Sequence, residues 1–499
     1  MACRFVRDVR VAPGRVHARR CEESKRKERS DGAHCHNVPT ADLRTELAGA
    51  LITPSDLGYD GARQVYLEGL DRRPVAVARV ADADDVARVI RFARESNLEL
   101  AVRSGGHSFA GHGTCDGGIV IDLSGMSALA VDAPSRTAWV ETGMTAGEYT
   151  TITGRHGLAT GLGDTGSVGI GGITLAGGIG FLVRSSGLTI DALLAAELVT
   201  ADGELVRTSE SSEADLFWAL RGGGGNFGVV TRLQLRLREV SQVVGGMLIL
   251  PATPAVICGF LEAASAAPEE LSTIASVMLA PSAPFIPDAG HGRPILVAQI
   301  VYAGPLGRSE TVLAPFRALA RPYADQLRPM RYADIYEGAE QSPRFASTAN
   351  FFAHSLRGDG AEAILESLPQ STATMGAVQL RVLGGAVSRM PHDATAFAHR
   401  DRGLFVNVAA MYADGGETAT HDAWVGGVVA ALGGNGAGGY VGFLGDEDHS
   451  TIRAAYPGRT WDRLPDVKRR YDPDNLFRLN HNIPPQPARL TTACDRDVA

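Results

Sequence analysis

Apolar positions along this chain change their period several times, and each change marks an element. Val75-Ala-Val-Ala-Arg-Val80 is a short apolar run and reads as a strand. Val86, Val89, Ile90 and Ala93 then recur at helical spacing, which predicts a helix over Ala83–Glu95. Leu98 to Val102 reads as a second strand, running directly into Arg103-Ser-Gly-Gly-His107. A βαβ unit whose second strand ends in a glycine turn is a usual place for a ligand. Ile119-Val-Ile-Asp-Leu123 and Thr137–Glu141 read as further strands.

A second glycine-dense stretch runs from Gly161 to Gly180. Within it Thr165 to Val183 is uncharged, but seven of its residues are glycine, so it reads as a loop and not as a membrane span of ~20 apolar residues. Leu193–Thr200 and Leu205–Thr208 follow, separated by the turn Ala201-Asp-Gly-Glu204. Glu213–Leu220 is helical, ending at Arg221 and the run Gly222–Gly225. Val229, Thr231, Leu233, Leu235 and Leu237 then alternate with Arg232, Gln234, Arg236 and Arg238, the period of a strand with one buried face. From about 243 to 437 glycine runs thin out, and strands such as Gly246–Pro251 and Leu296–Val301 alternate with helices. The stretch Trp461–Pro485 reads as a helix, the turn Tyr471-Asp-Pro-Asp-Asn475, and Phe477-Arg-Leu-Asn-His-Asn-Ile483.

These changes divide the 499 residues into a basic tail over 1–44, a first domain over 45–242, a second over 243–437, a return segment over 438–485 and a tail over 486–499. The basic tail lacks an apolar stretch after it and so is no secretory signal; it reads as disordered or as an upstream start. A net charge of −8 argues against a nucleic-acid binder. Cys3, Cys21, Cys35, Cys115, Cys258 and Cys494 form no C-x-x-C pair, which points to a reducing, cytoplasmic compartment. His156, His392 and His399 lack metal-ligand spacing, and no metal is expected. Glycine alone is in excess, 59 residues, clustered in short runs.

Gly161-Leu-Gly-Asp-Thr-Gly166 matches G-x-G-x-x-G, but a nicotinamide site needs a helix to begin within that motif. Gly169, Gly171 and Gly172 follow at once, and at roughly 1 kcal/mol each they oppose a helix. The Rossmann reading is therefore set aside. Glycine segments can instead offer backbone N–H groups to phosphate and to a flat ring. Three of them, 103–107, 161–180 and 222–228, suggest one large ligand with a diphosphate and a heterocycle.

Arg103-Ser-Gly-Gly-His107 followed by Gly117-Gly-Ile-Val-Ile-Asp122 resembles the N-terminal flavin motif of berberine-bridge-enzyme-like oxidases, within the vanillyl-alcohol-oxidase and PCMH superfamily. Thr165–Gly172 with Ala176–Gly180, Asp215–Val230 and Tyr471–Pro484 resemble its later motifs, so the likeness covers roughly 45–485. It implies an α+β fold: a two-part PCMH-type FAD-binding domain, and a substrate domain whose antiparallel sheet is covered by helices. It places a histidine–flavin link at His107. It assigns FAD contacts to Arg103, Ser104, Gly105, Gly106, Ser108, Thr165, Gly166, Ser167, Gly169, Gly172, Ile173, Gly177, Gly180 and Val230. Asn480 and Asn482 would meet the flavin's pyrimidine edge. Relatives with two links carry a cysteine where this chain has Thr165, so a single link is expected.

Many relatives carry a tyrosine base on a late strand, where Tyr440-Val-Gly-Phe-Leu444 places Phe443. Phenylalanine accepts no proton, which leaves Tyr440, His354 and Tyr412 as candidate bases. The expected activity is oxidation of a small alcohol, sugar, amine or secondary-metabolite intermediate, with O2 as acceptor. A dehydrogenase using another acceptor and a flavoprotein that sequesters a small molecule are the alternatives.

Overall fold

Three sheets carry the architecture of the computed structural model, which describes residues 40–486 except 241, 285, 337–341, 446 and 447. The first has the order Ala50–Ile52, Ala76–Arg79, Ile119–Asp122, Leu100–Arg103. Ala76–Arg79 and Leu100–Arg103 both run parallel to Ile119–Asp122, which lies between them. The crossover is the expected helix, Ala83–Glu95; its Val86, Val89, Ile90 and Ala93 are fully buried, and the Asp82 carboxylate accepts the Asp85 N–H at 2.8 Å as an N-cap. Ile119–Asp122 is buried on both faces, which is why it reads as a continuous apolar run.

The second sheet is antiparallel, ordered Leu129–Asp132, Thr137–Glu141, Val229–Arg236, Leu193–Val199, Leu205–Ser209. The period-two run falls as expected: Leu233 and Leu235 are buried while Arg232 and Gln234 are half-buried.

The third sheet is also antiparallel. Its strands run Ala324–Asp325, Gln242–Pro251, Pro294–Tyr302, Leu271–Leu279, Met375–Val382, Leu404–Tyr412, Phe345–Ala353, with Arg328–Arg331 pairing beside Gln242–Pro251. One face packs under the helices Pro254–Ala266, Gly358–Ser367 and Thr418–Ala431: Val378, Leu380, Val406 and Val408 join Phe260, Ile364 and Val425 in one core. Each such side chain contributes roughly 1.5–3 kcal/mol on burial. Successive residues of a strand point to opposite faces, so Met375, Ala377, Gln379 and Arg381 turn the other way. The fold is the α+β arrangement expected.

Three local expectations are corrected. Ile170–Ala176 is a helix inside the stretch read as a loop. A Cβ on Gly171 would lie 3.0 Å from Thr142 Cβ, so tertiary packing needs the bare backbone and overrides weak helix propensity. The helix begins after Gly161–Gly166, not within it, and the two-residue strand before the motif, Leu158–Ala159, pairs antiparallel with Arg238–Glu239, so no βαβ unit forms there. The basic tail lies outside the described residues except near its end, where Ala41–Glu46 is a helix with Leu43 buried. Finally, Val441–Phe443 is a 3-10 turn, not part of a strand.

Candidate active site

The three glycine segments converge on a cavity of about 470 Å³. Two of them touch backbone to backbone. A Cβ on Gly105 would lie 2.2 Å from the Gly169 amide nitrogen, and one on Gly169 would lie 2.2 Å from the Gly105 amide nitrogen. Gly172 and Gly225, by contrast, line the cavity, and a Cβ on either would meet nothing within 4 Å. The chain thus leaves a cradle that any side chain would partly fill. Arg103, Gly106, Ser108, Thr165, Ile173 and Val230 also line the cavity, whereas Gly166, Ser167, Gly177, Gly180 and Asn482 do not. Arg103 commits its guanidinium to neighbouring segments, donating to the Asp122 carboxylate at 3.0 Å and to the carbonyls of Gln64 and Ala62.

His107 stands at the cavity wall, stacked on Tyr66 at 4.1 Å between ring centres. Its Nε2 is 2.9 Å from Ser167 Oγ. Burial pulls its pKa down to about 4, against the smaller opposing pull of the Asp164 charge and the Ser167 contact. The imidazole is therefore neutral at neutral pH and keeps a nucleophilic lone pair.

A second set of contacts brings the C-terminal segment back to this place. Lys468, fully buried on the helix Arg459–Tyr471, donates to Asp472 at 2.6 Å and to the carbonyls of Asn226 and Phe477. Asp472 in turn accepts the N–H groups of Leu476 and Phe477. Asn226, beside the third glycine run, donates to the His481 carbonyl and accepts from Ile483 N–H at 2.9 Å. Asn480 is held in the lining with Nδ2 on the Phe477 carbonyl, while its buried Oδ1 has no partner among the described residues; the buried Oδ1 of Asn482 has none there either. A bare-backbone cradle, a neutral histidine and an orphaned carbonyl acceptor suit a flavin dinucleotide, whose ring and phosphates bring the missing donor and acceptor groups.

The candidate bases separate. Tyr440 lines the cavity; its hydroxyl accepts the Gly178 N–H at 2.9 Å, and burial pushes its pKa up to about 12. His354 lies exposed past the end of its strand, 2.9 Å from Arg402. Tyr412 sits on the helix-covered face of the sheet and donates to Thr418 Oγ1 at 3.0 Å. Neither lines the cavity.

Sequence reasoning missed the polar groups on the sheet side. Arg381, 2% exposed, donates to Asp164 at 2.5 Å, to Gln379 Oε1 and to the Ile179 carbonyl, and its guanidinium lies 4.8 Å from the Phe443 ring centre. Asp164, Gln379 and Asn407 all line the cavity, and Asn350 clamps the backbone of Tyr440 through both its amide atoms. The available signal was the alternation along Met375–Val382, which puts Gln379 and Arg381 on one face.

A PCMH-type fold with these loops defines an FAD-binding protein, and comparison with known proteins agrees. Residues 74–209 match the FAD binding domain family, and residues 440–484 match the family described as berberine and berberine like. (R)-6-hydroxynicotine oxidase of Paenarthrobacter nicotinovorans is 30% identical over 462 residues, covering 88% of this chain and 97% of that protein. The FAD-linked oxidoreductase YgaK of Bacillus subtilis is 29% identical over 454 residues, covering 89% and 98%. The crystal structure of 6-hydroxy-D-nicotine oxidase from Arthrobacter nicotinovorans superposes with a TM-score of 0.79 at 28% identity, covering 88% of this chain and 98% of that one. The chain belongs to the berberine-bridge-enzyme-like family of FAD-linked oxidoreductases.

Proposed function

We propose that the chain is an FAD-dependent oxidase of a small organic alcohol, sugar, amine or secondary-metabolite intermediate, with a single covalent bond between His107 and the cofactor and with O2 as the acceptor, released as hydrogen peroxide. Bound FAD supplies the two-electron acceptor. The observation that carries the reading is His107: a neutral imidazole at the edge of a backbone-lined cradle, steadied by Tyr66 and Ser167. Thr165 offers no thiol for a second bond. Tyr440 suits holding a proton and not removing one, since its pKa is pushed up to about 12. Asp164, the carboxylate among the described lining residues, is held in an ion pair with Arg381 at 2.5 Å.

The test is acid precipitation of the expressed protein and of His107→Ala. Yellow colour in the wild-type pellet alone supports the link, and colour lost from both refutes it. Peroxide release under air separates an oxidase from a dehydrogenase that needs another acceptor. A cytoplasmic location belongs to the same proposal, supported by the free thiols of Cys115 and Cys258. Among the described residues, no helix is long and apolar enough to cross a membrane.

A further inference from the structure

The substrate sheet presents to the cavity three rows of side chains set by its register. Ser276, Gln379 and Asn407 stand side by side across three strands. Next along come Met278, Ala377 and Ala409, and then Met375 opposite Met411. All eight line the cavity. The face therefore grades from amide and hydroxyl groups at one end to three methionines and two alanines at the other. Beyond the amide row, Arg381 and Asp164 form an ion pair at 2.5 Å.

This gradient constrains what can bind. Arg381 is already matched by Asp164, and Arg103 in the described lining by Asp122, which leaves no unmatched carboxylate or guanidinium there for a charged substrate. The methionine row offers no hydrogen bond to a sugar ring, and every hydroxyl pushed against it would lose its water without a replacement. Thioethers do favour the edges and faces of aromatic rings, and their flexible chains adapt to a flat outline. Tyr66, Phe109 and Phe443 add aromatic side chains to the lining.

Resting on the oxidase reading above, we infer that the substrate is an uncharged, mainly aromatic molecule, seated on Met278, Met375 and Met411 and anchored by one polar group at Gln379 and Asn407. The methionines are then specificity-determining residues, and oligosaccharides are excluded.

The experiment titrates the flavin-loaded protein anaerobically with cinnamyl alcohol and, separately, with cellobiose, following the flavin absorbance. Cinnamyl alcohol is expected to give a saturable perturbation and cellobiose none. Met375→Gln and Met411→Gln, which keep length but add an amide, should each weaken cinnamyl alcohol about tenfold, or 1.4 kcal/mol. Met411→Leu should hold the affinity within about threefold. If one glutamine variant fails to retain flavin, the other carries the test. Perturbation by cellobiose, no response to cinnamyl alcohol, or an affinity unmoved by the glutamine variants overturns the inference. Cinnamyl alcohol that binds without bleaching the flavin counts against oxidation and leaves the ligand class standing; bleaching by cellobiose does the reverse.

Discussion

The two sides of the cavity are built from opposite materials. On one side, glycine segments present bare backbone, with Gly105 and Gly169 in contact and Gly172 and Gly225 open to the space. On the other, three strands present side chains in register, grading from Gln379 and Asn407 to Met375 and Met411. A backbone surface has one shape, and a single methyl group spoils it. A side-chain surface can change its chemistry at one position and keep its shape. The same scaffold can therefore keep one wall fixed in shape while the facing wall changes its chemistry residue by residue.

The sharpest way to break the contrast lies under the glycine side. Lys468→Met would leave the Asp472 carboxylate buried and unpaired, and we expect a loss of about 3–5 kcal/mol in a urea unfolding series. A loss below ~1 kcal/mol would show that the C-terminal segment is held by other means. Gly169→Ala should cost about 1–3 kcal/mol by forcing the first two glycine segments apart, and it should lower the flavin retained on purification. Gly172→Ala meets no atom within 4 Å, so it should leave unfolding unchanged while reducing flavin retention.

Acid should weaken the folded state through two buried histidines, His112 in the cavity lining and His399 against the Ala455 carbonyl. Burial pulls His112 down to about 3 and His399 to about 4, below their ordinary 6.5. The unfolded chain then binds protons first, so these two groups contribute stability that is whole above about pH 6.5 and is lost as pH falls through about 4 and then 3. Each tenfold difference in proton affinity between the folded and unfolded chain is worth roughly 1.4 kcal/mol, so the loss amounts to a few kcal/mol for each histidine. Thermal midpoints measured from neutral pH down to about 4 should fall steadily, and a flat profile would refute the assignment. On the sheet side, Met411→Leu should change stability by less than about 1.5 kcal/mol.

Much of the glycine side could be read along the chain. Clustered glycines, a strand ending at Arg103, and His107 two residues beyond Gly105 are local features, and the helix Ala83–Glu95 follows from its own spacing. The sheet side could not be read so. His354 and Tyr412 are polar and near the right strands, yet one lies past a strand end and the other faces the helices. A shift of one residue in a strand exchanges its faces.

The class of cofactor, the position of His107 in the first glycine segment and the α+β plan were already legible in the order of residues, because they depend on short-range pattern and on where bare backbone is possible. Folding in three dimensions was needed to put Gly171 in a helix, to bring Arg381 to Asp164 across 217 residues, and to gather three methionines on one shelf. Those outcomes depend on strand order, register and long-range packing, which no local period encodes.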